Sequence, residues 1–331
     1  MATTAATETM QAILRPRYGS AHVLELGEVG KPVLVDDGVL VRVRAASVNQ
    51  GDWYGMTGTP WFSRVELGLR KPKSPLLGTD FAGTVEAVGK DVTDFQPGDD
   101  VFGGRSGAFA EYVCARKGVA RKPANVSFEE AAAVPVAALT ALQALRDKGH
   151  IEQGQKVLVN GASGGVGTFA VQIAKALGAE ITAVCSTKNV DRMRSLGADR
   201  VIDYTREDFT RSGGRYDLLL DVAGSKSWSQ CKRVLAPRAI VVLVGGRKGS
   251  NRMLGPLGHV IRMWLGSLGS RRKAVFFIAK FNRDDMNVLA ELLESGKVAP
   301  VVERSYPLSE TPEAIRHVGE GHPQGKIVIA V

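Results

Sequence analysis

Polar and apolar residues alternate over residues 39–45 (VLVRVRA) and 83–88 (GTVEAV), the period of two expected of a strand with one wet face. Turn-forming stretches such as Pro97-Gly98-Asp99 and Gly103-Gly104 punctuate the first third, which predicts a β-rich unit. Beyond about residue 126 the pattern changes to strands alternating with helices. Lys156–Asn160 reads as a buried strand, residues 165–177 carry the apolar spacing of a helix, and Glu180–Cys185 and Arg200–Asp203 read as strands around a helix at 190–196. Residues 218–222, 239–244 and 274–279 extend the series. This alternation predicts a parallel, doubly wound sheet. The last fifty residues differ again: a helix at 284–295, a short strand at 298–302, a helix at 312–319 and a closing strand at 326–331. That tail is too short for another strand–helix array and is expected to pack back on the N-terminal β unit. The fold class is thus α/β, with residues 1–125 and 281–331 forming one domain and residues 126–280 the other.

A chain of 331 residues suits two cores better than one. No run of about 18 apolar residues is present, so a spanning helix is not expected. The first ten residues (MATTAATETM) lack a basic start and an apolar run and do not read as a secretory signal. Cys114, Cys185 and Cys231 are odd in number and far apart, with no CxxC pair, which fits a reducing cytosol rather than a disulfide or thiolate-metal framework. The net charge of +9 reads as diffuse and suited to attracting an anionic cofactor. No RNA-binding signature accompanies it, so nucleic acid is not an expected partner.

The main chemical signal runs from Val157 to Gly167 (VLVNGASGGVG): a strand, a glycine-rich turn, then a helix. In GxGxxG phase the motif is AxGxxG, beginning at Ala162 and continuing through Ser163, Gly164, Gly165, Val166 and Gly167. Gly164 lets a pyrophosphate approach the backbone, Gly167 permits close helix–strand packing, and the helix start supplies amides. The end of the next strand chooses between cofactors. An NAD-binding site usually places Asp or Glu there to bond the ribose 2′-hydroxyl. Residues 183–189 (AVCSTKN) contain no acid, whereas Ser186, Thr187 and Lys188 suit a 2′-phosphate, so NADPH is the expected cofactor. A polar helix cap would use the same residues.

Over almost its whole length the chain resembles the medium-chain dehydrogenases/reductases, and within them the quinone oxidoreductase branch that includes zeta-crystallin. The resemblance rests on Ser47-Val48-Asn49 with Asp52 and Tyr54, on residues 78–86 (GTDFAGTVE), 97–102 (PGDDVF), 107–112 (GAFAEY) and 138–142 (ALTAL), and on the glycine loop and Gly325-Lys326-Ile327-Val328. It implies a GroES-like catalytic domain built from both chain ends around a Rossmann domain, with nicotinamide and substrate in the cleft, and a homodimer; the cytoplasmic setting is expected from the cysteines, not from the resemblance. It also implies that Asn49 lies near the nicotinamide, that Tyr54 can donate to a carbonyl oxygen, that Thr140 lies beside the nicotinamide ribose, and that Tyr204 lies along the adenosine phosphate. Val222-Ala223-Gly224 and Val244-Gly245-Gly246 end the fourth and fifth strands, at the edge where open sheets bind ligands. Lys326 can reach the cofactor by resemblance, but on its own reads as a solvated charge.

The zinc alcohol dehydrogenases have a Cys where this chain has Asn49 and a Gly-His-Glu where it has Gly78-Thr79-Asp80, and their later Cys falls near Val136. No metal site is therefore expected. Without a Lewis acid, hydride transfer to an electrophilic quinone or α,β-unsaturated carbonyl is the expected chemistry, the second proton coming from Tyr54 or water. Two alternatives stay open: a zinc-independent carbonyl or alcohol dehydrogenase, and a non-enzymatic NADPH-binding protein, crystallin-like or RNA-associated. His22, His150, His259, His317 and His322 read as surface or capping residues. Two basic-apolar stretches, residues 61–73 and 247–280, are expected to line an apolar substrate mouth or, as basic amphipathic surfaces, to touch anionic membranes.

Overall fold

The computed structural model describes residues 8–245, 257–321 and 323–331. The expected central sheet is present: six parallel strands, Lys156–Asn160, Glu180–Cys185, Arg200–Asp203, Tyr216–Asp221, Leu235–Leu243 and Lys273–Phe276. Numbered along the chain, their spatial order is 3-2-1-4-5-6, the order of a dinucleotide-binding sheet. The chain crosses between neighbouring strands through the helices Gly165–Ala176 and Val190–Ser195, whose inward residues Phe169, Ile173 and Met193 are fully buried. Helix Leu257–Ser267 precedes the sixth strand.

The β-rich unit is a seven-stranded sheet. Its central strand, Val39–Val48, pairs antiparallel with Asp80–Val88 on one side and with the C-terminal strand Lys326–Ala330 on the other, in the register Ile327↔Val48 and Val328↔Ser47. The chain end thus completes a sheet begun in its first fifty residues. The strand expected at 298–302 lies later, at Val302–Pro307. Its first residues are diverted because the amide of Ala299 donates to Gln172 Oε1 of the Rossmann helix and the carbonyl of Val301 accepts from Lys326.

Two packings position the site. Helix Gln50–Thr57 lies against the C-terminal helix Thr311–Glu320, where a Cβ on Gly319 would fall 2.0 Å from the Trp53 ring. Gln143, at the end of helix Pro135–Gln143, donates to Lys280 O and Asp285 Oδ2 and accepts from Lys280 N, tying the domain crossover to the helix that carries Thr140.

Candidate active site

A buried charged cluster forms where three chain segments meet. Asn49 ends the central strand Val39–Val48 and starts helix Gln50–Thr57; Asp80 opens the neighbouring strand; Lys326 opens the C-terminal one. Lys326 Nζ is 2.5 Å from Asn49 Oδ1, 3.3 Å from Val48 O and 3.5 Å from Asp80 Oδ2. The Asn49 amide in turn donates from Nδ2 to Asp80 Oδ2 at 2.9 Å. Asp80 also accepts from Ser47 Oγ at 3.1 Å and from the Val136 amide at 3.1 Å, which brings the start of the Thr140 helix to the same point. One turn along its helix, Asp52 accepts the Asn49 amide at 2.7 Å.

Almost no water reaches the charged members of this cluster. Lys326 is 3% exposed and Asp80 fully buried, so the expected solvated lysine is instead an internal cation. Its four-carbon stem packs against the glycine loop, a Cβ on Gly165 falling 3.0 Å from Lys326 Cδ, while its ammonium finds its counter-charge in Asp80. Burial pushes the Asp80 carboxyl above its usual range and the Lys326 amine below its own, each partly offset by the other's charge. The Asp52 carboxyl rises to about 7, first because it is buried and then because Asp80 is near, against the pull of the backbone amides of Asn49 and Gly78.

Tyr54 is half-buried on the helix that Asn49 starts. Burial raises its hydroxyl, for which no hydrogen-bond partner is found among the described residues. Thr140 is half-buried one turn beyond Val136. A cavity of about 480 Å³ opens beside Thr79, one residue from Asp80, and is walled by Gly104, Arg105, Arg116 and Phe281. Residues 61–73 and 257–280 line neither this cavity nor the 270 Å³ one beside it. Trp61, Val65, Leu69 and Trp264 point into solvent instead.

The glycine loop has the form that a pyrophosphate requires. Helix Gly165–Ala176 has Gly164 as its N-cap without a side-chain cap, and its first helical bond runs from Thr168 N to Gly164 O. The amides of Gly165, Val166 and Gly167 therefore have no partner within the helix. At Gly164 a Cβ would make only an ordinary contact, with Gly161 O at 3.6 Å, whereas a Cβ on Gly167 would strike Gly161 O at 2.2 Å and Ala162 at 2.7 Å. Ala162 itself is buried, its amide bonded to Val184 O, and Ser163 lies on the turn between. These observations fit a dinucleotide phosphate bound at the helix start.

Beyond the second strand, Lys188 is exposed with no ion pair among the described residues, and Ser186 Oγ accepts from Asn189 Nδ2. Thr187 is partly committed, donating to Asp203 Oδ2 at 2.6 Å. Asp203, at the end of the third strand, brings a carboxylate that the local sequence 183–189 does not contain. Bonds from Thr187 and Thr205 hold it below the usual carboxylate range. Tyr204 follows it and is 58% exposed, open to a stacking partner.

At the carboxyl edge, Val222 and Ala223 donate to Asn160 O, and Gly224 (φ 60°) donates to Asp221 Oδ1. Val244 donates to Asp221 O, and Gly245 closes on Val222, whose carbonyl lies 2.3 Å from where its Cβ would be. Gly246 lies outside the described residues. The fully buried Asp221 also accepts from Asn160 Nδ2 at 2.8 Å and faces His259 Nε2 at 3.2 Å. His259 is therefore a packed internal partner rather than a surface residue. Local patterning gave no sign of this pair, because its members stand 38 positions apart. Among the described residues no group of three His, Cys, Asp or Glu could hold a metal.

Two family models match the chain, the alcohol dehydrogenase GroES-like domain over residues 35–124 and the zinc-binding dehydrogenase domain over residues 196–329. The mitochondrial NAD(P)H oxidoreductase RTN4IP1 of Mus musculus is 35% identical over 99% of this chain and 91% of its own length. The chloroplastic quinone-oxidoreductase QR1 of Triphysaria versicolor is 33% identical over 98% of this chain and 99% of its own. The solved quinone oxidoreductase from Coxiella burnetii superposes with a TM-score of 0.86 at 30% identity, covering 98% of this chain and all of that one.

Proposed function

Since the chain belongs to the medium-chain dehydrogenase/reductase superfamily as a quinone oxidoreductase-like oxidoreductase with a nicotinamide cofactor, we propose that it uses NADPH to reduce a quinone or an α,β-unsaturated carbonyl without a metal ion. The observation that carries this reading is the Lys326–Asn49–Asp80 cluster standing against the glycine loop.

The positions that hold zinc in the alcohol dehydrogenases by resemblance are here Asn49, Thr79 and Val136. A catalytic zinc needs about three N, O or S ligands. Asn49 has its oxygen on Lys326 and its nitrogen on Asp80, and Val136 offers only a backbone amide, itself donated to Asp80. An ammonium beside this amide, hydroxyl and apolar set does not fit a divalent cation, and no step runs through one.

When bound, NADPH supplies the hydride. Gly164, Gly165, Val166 and Gly167 would receive the pyrophosphate, and Ala162 and Ser163 would shape the turn. Ser186, Thr187 and Lys188 would meet the 2′-phosphate, with Tyr204 along the adenosine side. The Asp203 charge is compensated by Thr187, Thr205 and Arg206, the last at 3.5 Å, which lessens its repulsion of a phosphate. Thr140 would contact the nicotinamide ribose, and Val222-Ala223-Gly224 with Val244 and Gly245 would floor the cleft. Asn49, fixed by Lys326, holds the acceptor side of the site in one geometry. Tyr54 would donate the proton to the acceptor oxygen, burial keeping its hydroxyl protonated.

A panel of quinones, enones and simple ketones, each assayed with NADPH and NADH, tests the reading. Reduction of quinones or enones with NADPH preferred is expected. Turnover confined to simple ketones, or tight NADPH binding with no turnover on any acceptor, would overturn it.

A further inference from the structure

The +9 charge is not diffuse. Residues 222–283 contain thirteen Lys and Arg and no Asp or Glu, while the rest of the chain holds 30 basic and 34 acidic residues. All of the excess positive charge therefore comes from a single stretch, which follows the fourth Rossmann strand and builds the fifth, the sixth and the helix before it.

That helix, Leu257–Ser267, has two apolar faces. Val260, Met263 and Ser267 are buried on the sheet, and Gly266 lies so close to Trp228 that a Cβ would fall 2.7 Å from the indole. Ile261, Trp264, Leu265 and Leu268 stand at i, i+3, i+4 and i+7 on a separate face and are 44%, 52%, 52% and 57% exposed. Four large apolar residues in that spacing form a continuous stripe that no other described residue covers. Arg262 flanks the stripe, and Arg271 and Lys273 follow it; all three are exposed and unpaired among the described residues. Arg272, by contrast, is spent on the carbonyls of Leu235 and Ala236.

We propose that this face docks on an anionic lipid bilayer, the Trp264 stripe entering the headgroup boundary and Arg262, Arg271 and Lys273 meeting lipid phosphates. An apolar stripe edged only by cations is the composition of an interfacial helix, and each basic residue near an anionic surface adds to its attraction. A second copy of the chain suits the face less well: a two-fold contact sets a patch against itself, and here arginine would meet arginine with no acid between them. The docking would hold the enzyme at a surface where apolar acceptors dissolve, but it does not depend on the catalytic reading.

The test is sedimentation of the full-length protein with vesicles of phosphatidylcholine alone and of phosphatidylcholine mixed with phosphatidylserine, at low and high salt, with reduction of a water-soluble quinone assayed in the same samples. The protein should sediment with the mixed vesicles at low salt, be released at high salt, and ignore phosphatidylcholine alone. Arg262→Ala should weaken partitioning about fivefold, and Trp264→Ser with Leu265→Ser should abolish it, soluble-quinone turnover remaining unchanged in both. Absence of wild-type binding to the mixed vesicles, or undiminished binding by the double variant, would overturn the proposal. So would sedimentation equilibrium showing a wild-type dimer that the double variant dissolves, since the stripe would then be an interface between copies. Loss of quinone turnover by wild type would instead count against the catalytic reading alone.

Discussion

Lys326 Nζ lies 2.5 Å from Asn49 Oδ1, joining a buried lysine to a half-buried asparagine 277 positions away. This contact orients the Asn49 amide, since the oxygen must face the ammonium and the nitrogen must then face Asp80. The same ammonium is the counter-charge of Asp80, one of two buried carboxylates, and the lysine stem sets the cluster against Gly165 of the glycine loop.

Removing that cation should be costly. Lys326→Met leaves Asp80 buried without its counter-charge, and breaking such a pair costs about 3–5 kcal/mol. Urea denaturation should show a loss of this size, with Lys326→Met/Asp80→Asn recovering much of it. Recovery by the double variant is the outcome specific to a charge pair; if the two losses simply add, the residues are not coupled.

Asp52 predicts a pH dependence of stability. Its folded carboxyl titrates at about 7, against about 3.9 in an unfolded chain. Folding therefore favours the protonated form: the contribution is fully present below pH ~4 and is lost as pH rises through ~7. Asp52→Asn mimics the protonated state. Its stability relative to wild type should be flat below about pH 4 and grow in the variant's favour up to about pH 7, read as the difference in urea midpoints. A constant difference across that window would contradict a raised Asp52.

The two loop glycines should separate binding from folding. At Gly164 a methyl meets nothing closer than 3.6 Å but occupies the approach to the helix amides. Gly164→Ala should weaken NADPH binding while leaving the melting temperature unchanged. At Gly167 a methyl strikes backbone, so Gly167→Ala should lower both, by about 1–3 kcal/mol of stability as expected for overpacking. Calorimetric titration beside thermal unfolding distinguishes the two.

The strands of the central sheet were legible because their side chains, buried on both faces, leave uninterrupted apolar runs; Lys156–Asn160 and Glu180–Cys185 fall where the sequence places them. The glycine loop was legible for a similar reason, its constraints lying within a dozen consecutive residues. What escaped was long-range. A lysine looks solvated until the C-terminal strand carries it between Asn49 and Asp80, and an acid-free second strand looks clear of carboxylate until the third delivers Asp203 to Thr187. His259 reads as a surface residue in the sequence because its partner Asp221 lies on another element. The strand after residue 298 starts late because Gln172 and Lys326 take the backbone groups that would have begun it.

Cofactor choice should follow Lys188. A bond from its ammonium to a phosphate is worth about 1.5–3 kcal/mol, so Lys188→Ala should raise the KM for NADPH about 10–100-fold and leave that for NADH unmoved. Equal effects on both cofactors would show that the ammonium does not meet the 2′-phosphate.

The most direct test of the central claim, that an internal lysine cluster stands where related dehydrogenases hold zinc, is metal content and NADPH-driven quinone reduction measured on one chelator-treated sample. The account predicts full turnover with no stoichiometric metal. One equivalent of tightly bound zinc per chain, with activity lost on its removal and restored on its return, would contradict it.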